Sequence, residues 1–227
     1  MDTSKDYRIL VAEKAAEWMT KASETVRIPI PGKKDQLRNI ARQARSKILE
    51  LKYSFLPSDQ LASCEVALNL SKLGAELLKL VRIVPKPEKE GAKLLLARLK
   101  WCGRTLQGLP SRLALDEENK PEYAVDIEAG RIESFSKLGG SRNLYVTNVS
   151  TGAETFTVIT NLADVKQGQI RAIAVLPPRL FLNEVSEAMF CSDPLQDTEV
   201  GARPPSNLLN LSEVNAIIEE IVRKGIG

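Results

Sequence analysis

The sequence predicts an α+β protein of two domains: an N-terminal all-α helical bundle over residues 1–118, then a small β-barrel with a terminal helix over residues 119–227. Three observations predict it. Apolar residues recur with helical period as far as about Ala114; five short runs rich in Val, Ile, Thr, Phe and Tyr lie between Val125 and Ser192; and the polar stretch Asp116 to Pro121 (DEENKP) separates the two textures. With 227 residues, 43% of them hydrophobic, the chain has apolar material for two buried cores.

In the first half, Tyr7, Leu10, Val11, Ala15, Trp18 and Ala22 fall on one face of a first helix, ended by the two prolines of Val26 to Gly32 (VRIPIPG). Leu37, Ile40, Ala41, Ala44, Ile48 and Leu51 stripe a second helix, closed by Pro57. Ser58 is a candidate N-cap for a third helix that runs to about Val84 and stops at Pro85 and Pro87. Lys89 to Gln107 form a fourth, with Leu95, Leu99, Cys102 and Leu106 aligned and Gly108 and Pro110 as stop signals. Helices joined by short proline-containing connections make an antiparallel bundle, in which Trp18 and Trp101 are core residues.

In the second half, the runs VDIEAGRI, NLYVTNVSTG, FTVITNL, GQIRAIAVLPPR and VSEAMFCS are punctuated by Gly, Asn, Ser and Pro. Five strands at this spacing make a Greek-key barrel of OB-fold type. After a loop rich in Pro, Asp and Gly, a final helix from Ser212 to Lys224 carries the stripe Val214, Ile217, Ile218, Ile221 and Val222. The barrel, the bundle or a second subunit must cover that stripe, and the expectation is a homodimer.

Between Tyr123 and Arg203 the order of motifs resembles the tRNA-binding domain family, which includes endothelial-monocyte-activating polypeptide II, the C-terminal extensions of some methionyl-tRNA synthetases, and small bacterial export-related chaperones. Asp126, Gly130 and Ile132 meet its opening D-x-x-x-G-x-I, and Leu144, Tyr145 and Val146 meet the L-Y-V of its second strand, with Gly152 at the following turn. Val158 to Leu162 stand for its V-V-S-G-L, Ile173 to Pro178 for the strand leading to its proline corner, and Ser186, Ala188 and Met189 for its closing S-x-x-M. The chain departs from the family where lysines usually flank the corner, since it has Pro177 and Leu180 with Arg179 nearby. LGGSR, ending in Arg142, replaces the family's H-P-x-A-D, and Asn183 replaces a turn glycine. The resemblance implies an OB-fold that binds folded tRNA, in which Ser186 contacts the RNA backbone.

Charge is unevenly spread. Residues 1–120 carry 23 basic against 15 acidic side chains, a net of +8, whereas residues 121–227 carry 9 against 14, a net of −5. The barrel's cations, Arg131, Lys137, Arg142, Lys166, Arg171 and Arg179, with Tyr145 or Phe156 as a stacking ring, are its candidate RNA contacts. On the second helix Lys34, Arg38, Arg42 and Arg45 recur at intervals of four, four and three, a cationic ridge opposite the apolar stripe with only Asp35 and Glu50 to offset it. Three arginines in four suit planar phosphate contacts, and the ridge fits a phosphate or an acidic partner.

The chain has no histidine, which removes the usual metal ligand and proton shuttle, and its three cysteines, Cys64, Cys102 and Cys191, are widely spaced and read as buried free thiols. It has no P-loop and no GxGxxG, and its adjacent carboxylates lie in exposed-looking segments. The expectation is therefore a non-enzymatic protein with no cofactor and no metal. No apolar run approaches a membrane span and the first residues lack a signal peptide's apolar core, so a cytoplasmic location is expected. The leading functional reading is structure-dependent tRNA binding in translation, as a trans-acting cofactor of an aminoacyl-tRNA synthetase or a tRNA chaperone. The alternative is an OB-fold protein-interaction or dimerisation module with little RNA binding, which the acidic balance of the barrel favours.

Overall fold

A computed structural model describes residues 2–25, 33–85 and 87–226. The chain divides into two compact units, Met1–Val125 with Asn215–Gly227, and Asp126–Val214. The first is helical and the second is the barrel.

Six helices precede the barrel among the described residues: α1 (Tyr7–Thr25), α2 (Lys34–Lys52), α3 (Ser58–Ser63), α4 (Glu65–Arg82), α5 (Glu90–Gln107) and α6 (Leu109–Leu113). The four long ones close a ring, α1 on α2, α2 on α4, α4 on α5 and α5 on α1, while the short α3 and α6 pack together. On α2 every expected stripe residue is buried. On α1 the buried positions are Ile9, Val11, Ala12, Ala15, Ala16, Met19 and Ala22, and the expected Tyr7, Leu10 and Trp18 are only half-buried. A helix touching neighbours on two sides has a core face wider than one stripe. Trp101 is buried as expected, but the Trp18 ring lies at the edge with the Arg98 guanidinium carbon 5.8 Å from its centroid. The expected end of the first helix within Val26 to Gly32 lies outside the described residues.

The expected third helix is two helices. The chain extends at Cys64 (φ −68°, ψ 151°), and the Cys64 sulfur accepts from the Ala67 N–H at 3.4 Å, capping α4 in place of the expected serine. Ser58 is the first residue of α3 and Pro57 takes the cap position. Pro110, expected as a stop, instead sits in the first turn of α6, where its missing N–H costs no helical bond. Of the three cysteines, Cys102 and Cys191 are buried and Cys64 is intermediate; burial raises the Cys102 thiol and pushes Cys191 up to about 12.

Two polar devices seal the helical unit. Asp6 and Arg8, 0% and 1% exposed, form a bidentate ion pair, and Arg8 Nη1 also donates to the carbonyls of Arg112, Leu113 and Asp116 (3.3, 3.4 and 2.6 Å), the free end of α6. Thr3, fully buried, donates to the Lys52 carbonyl at the end of α2 (2.8 Å). Where α4 and α5 run antiparallel their backbones meet: a Cβ on Gly74 would lie 2.4 Å from the Gln107 nitrogen and 2.5 Å from the Gly103 oxygen.

In the barrel, β1 (Ile127–Lys137), β2 (Tyr145–Ser150), β3 (Thr155–Thr160), β4 (Ile170–Ala174) and β7 (Met189–Phe190) form an antiparallel sheet of order β3-β2-β1-β4-β7. β1 serves both halves, pairing through 127–131 with β4 and through 131–137 with β2, and a bulge between Ile132 and Ser134 bends it. A hairpin of β5 (Arg179–Phe181) and β6 (Glu184–Ser186) completes the wall. Closure comes where β6 meets β3: Glu187 N–H donates to the Thr157 carbonyl (2.8 Å), Thr157 N–H to the Glu187 carboxylate (3.2 Å), and Ile159 N–H to Ser186 Oγ (3.0 Å). This nearly closed five-stranded barrel is the OB-fold expected.

The contact division falls between Val125 and Asp126 rather than at 118, and the last residues of α7 (Ser212–Lys224) group with the helical unit. Val214, Ile218 and Ile221 are buried within the single chain, whereas Ile217 and Val222 are half-buried. The stripe therefore needs no second subunit to cover most of it.

The glycine contact between α4 and α5 makes a prediction. Gly74→Ala pushes a methyl into backbone that no side-chain rotation can clear, and it is expected to destabilise the helical unit by about 2 kcal/mol or more. Gly91→Ala in the first turn of α5, with nothing within 4 Å, is expected to be neutral or slightly stabilising in the same urea titration. Equal midpoints for the two variants would contradict the close approach.

Candidate nucleic-acid interface

One end of the barrel gathers several of the sequence-predicted residues. Lys137 is register partner to Tyr145, which pairs in turn with Thr160, so the ends of β1 and β3 and the start of β2 lie side by side. Tyr145, half-buried, stacks on Phe135, with centroids 4.6 Å apart and planes at 22°. Phe135, two residues before Lys137, lies on the same strand face.

The β1–β2 loop above this stack is ordered by its own hydrogen bonds. Leu138 N–H donates to the Leu144 carbonyl (2.9 Å), and Ser141 Oγ accepts from the N–H groups of Asn143 (3.4 Å) and Leu144 (3.1 Å). Arg142 projects from this loop, exposed. Gly140 takes φ +81°, and a Cβ there would sit 3.7 Å from Leu182 Cδ1, so the tip of the β5–β6 hairpin rests against the loop. Arg179, exposed, lies on that hairpin opposite Ser186. In an OB-fold these are the loops that flank the oligonucleotide face. Asn183, which stands where the family has a turn glycine, does not take a positive φ; Leu182 does, at φ +54°, its side chain against Gly140.

Other predicted residues do different work. Arg171 is 1% exposed and its guanidinium bonds the Asp164 carboxylate, a contact that holds that carboxyl below its usual range. Ser186 is 7% exposed; its hydroxyl accepts from Ile159 N–H and donates to the Ala188 carbonyl (3.0 Å), the closure of the barrel. Phe156 is buried in the core, which leaves Tyr145 as the accessible ring of the pair. Arg131, exposed, pairs with Ser150 at the opposite end of β2, roughly 20 Å of strand from Lys137. Lys166 is exposed in the β3–β4 loop.

On the helical unit Lys34, Arg38, Arg42 and Arg45 are all exposed, opposite the buried stripe of α2. Arg38 meets Asp35 at 3.2 Å and Arg42 Nη2 donates to Asn39 at 3.3 Å, both one turn back, so the ridge keeps most of its charge toward solvent. Phe135 went unnoticed in the sequence although its period-two offset from Lys137 was a signal. The exposure of Leu162, Leu180 and Leu182 (37, 37 and 55%) was missed because Leu162 and Leu182 lie outside the strands and Leu180 in a three-residue strand too short to show a period. Among the described residues no group of His, Cys, Asp and Glu could hold a metal ion, and no helix is long and apolar enough to cross a membrane.

Two family models match the chain, one described as "Alpha helical domain" over residues 1–116 and one described as "Putative tRNA binding domain" over residues 127–209. Among solved structures the chain is similar to the "MetRS related protein from Pyrococcus horikoshii", with 22% identity and a TM-score of 0.34, over 37% of this chain and 92% of that one. No curated protein matches it.

The roles of Ser186 and Asp164 are testable. Ser186→Ala strands the buried Ile159 N–H and is expected to destabilise the barrel by about 1–3 kcal/mol. Asp164, whose carboxyl is lowered, contributes stability above its ordinary value of 3.8 that is lost as pH falls through the lowered value. Asp164→Asn should thus lower the melting temperature at neutral pH and flatten its dependence on pH in the acid range. An unchanged acid profile would remove the ion pair from that role.

Proposed function

We propose that this chain, which belongs to the alpha helical domain family and carries in its barrel a domain of the tRNA-binding family, binds folded tRNA without catalysing a reaction on it. The observation that carries the reading is the meeting of the Gly140 loop with the Leu182 hairpin above the Phe135–Tyr145 stack, which sets Lys137, Arg142 and Arg179 around one end of the barrel. There the cations neutralise phosphates, the ordered loop fixes their spacing, and Tyr145 offers a ring to an unpaired base. A preformed surface of this kind reads the shape of a folded RNA rather than its sequence. The ridge Lys34, Arg38, Arg42 and Arg45 adds sequence-independent charge. Ser186, which closes the barrel on Ile159 next to this end, supports the surface from inside, whereas Arg171 is held by Asp164 on the Gly130 side of the sheet. The biological role proposed is delivery of tRNA to an aminoacyl-tRNA synthetase in trans, or its protection.

A second reading is favoured by the exposed Leu162, Leu180 and Leu182 in a C-terminal half, residues 121–227, of net −5: the domain would be a protein-interaction module, a second copy of the chain included. Pull-down of a synthetase after nuclease treatment, with sedimentation equilibrium for self-association, supports it if the partner survives loss of RNA.

Salt titration in gel-shift assays tests the first reading. Each phosphate contact contributes about −0.7 to −0.9 to the slope of log affinity against log salt. Arg38→Ala, Arg42→Ala and Arg45→Ala together are expected to lower the slope's magnitude by roughly two, and Arg142→Ala with Arg179→Ala by about one. The barrel pair should also reduce the preference for folded over unfolded tRNA. Failure to bind tRNA at roughly micromolar protein in low salt would remove the proposal.

A further inference from the structure

The exposed face of α2 that carries the cations continues past Arg45 with apolar and aromatic residues. Four residues on stands Leu49 and four further Tyr53, whose N–H donates to the Leu49 carbonyl (3.3 Å) and so keeps the helical phase. Leu49 is 41% exposed and Tyr53 59%, although Ile48 and Leu51 on the opposite face are buried. Phe55, just beyond, is 61% exposed. It takes φ +51°, a conformation costly for a bulky residue, and its N–H donates to Thr3 Oγ1 (3.1 Å), the same hydroxyl that donates to the Lys52 carbonyl. A fully buried threonine thus fixes the turn that presents the ring. Lys52, paired with Glu13 at 2.8 Å, places its ammonium 5.9 Å from the Tyr53 ring centroid.

We infer that this face of α2, from Lys34 to Tyr53, with the exposed Phe55 just beyond the helix end, is a binding site for unpaired single-stranded RNA. The inference rests on the assignment of the ridge to phosphate and goes beyond it by specifying the conformation of the RNA. Guanidiniums in a row follow a phosphodiester backbone, and rings at the end of the row take bases by stacking, the arrangement by which proteins hold single strands. In a duplex the base faces are covered by their neighbours, so Tyr53 and Phe55 reach only unpaired nucleotides. An acidic protein segment would also satisfy the ridge. Two exposed aromatic rings about two turns beyond a row of three arginines, on a half-chain with a net charge of +8, suit a polyanion with flat bases better.

Fluorescence anisotropy with a labelled, non-self-complementary oligoribonucleotide of about 12 nucleotides, free and annealed to its complement, tests this on the full chain. The wild type is expected to prefer the single strand. Tyr53→Ala with Phe55→Gly, glycine being suited to the positive φ, should weaken single-strand binding by roughly tenfold while leaving the salt slope and duplex binding unchanged. Tyr53→Trp should retain the wild-type preference. Unaltered single-strand affinity in the double variant, at an unchanged melting temperature, overturns the inference and leaves the face to an acidic protein partner; so does equal weakening toward strand and duplex. The preference of Arg142→Ala with Arg179→Ala for folded over unfolded tRNA, measured separately, reads the barrel proposal, and neither Tyr53 nor Phe55 belongs to the barrel, so failure of one reading is distinguishable from failure of the other.

Discussion

Both units depend on one constraint: backbone polar groups left over where a helix or sheet ends must find partners before that end can be buried. In the barrel the free edge of β3 is taken up by Ser186 and Glu187, whose hydroxyl, N–H and carboxylate replace the ladder that a full-length neighbouring strand would supply. In the helical unit the last carbonyls of α6 are taken up by Arg8, and the guanidinium can lie buried there only because Asp6 neutralises it. Removing either partner would leave an uncompensated group in a low-dielectric interior, which is costlier than the net worth of the bond itself.

Closure is also what makes the barrel's end a surface with fixed spacing. Because β1 pairs with β4 along one half and β2 along the other, its end carries Phe135 and Lys137 out beside Tyr145, and the loop above them is held by Ser141 and by the contact of Gly140 with Leu182. Cations are scarce in this half of the chain, so their positions matter more than their number. Lys137, Arg142 and Arg179 share the loop-bearing end, Arg171 is used up by Asp164, and Arg131 lies at the far end of β2. The helical unit differs: its charge lies along one helix face with few local acids, an arrangement suited to an extended polyanion.

What was legible in the sequence can be traced residue by residue. The stripe of α2 was readable because a helix that buries one face leaves a strict three-four repeat, and the same repeat displayed the ridge. Continued for two more intervals it reaches Leu49 and Tyr53, so that part of the surface was available to sequence reasoning. The strand runs and the order of their punctuation were likewise readable, since period two and turn residues are local properties. The stripe of α1 was misjudged because a helix packed on two neighbours buries more than one face. The third helix was read as continuous because a cysteine is not an expected cap.

By itself, then, the sequence determined the two textures, the barrel topology they imply, the charge division between the halves and the cationic face of α2, all of which follow from local periodicity and composition. The tertiary structure decided which residues at that barrel face solvent. Ser186 and Arg171 carry polar groups that suit RNA equally well in the sequence, and only the path of β6 beside β3 and the position of Asp164 turn them inward. Likewise only packing decided that Val214, Ile218 and Ile221 are covered within one chain, and that Phe55, pinned by Thr3, faces outward. These outcomes depend on contacts between residues distant in sequence, whose geometry no local pattern encodes.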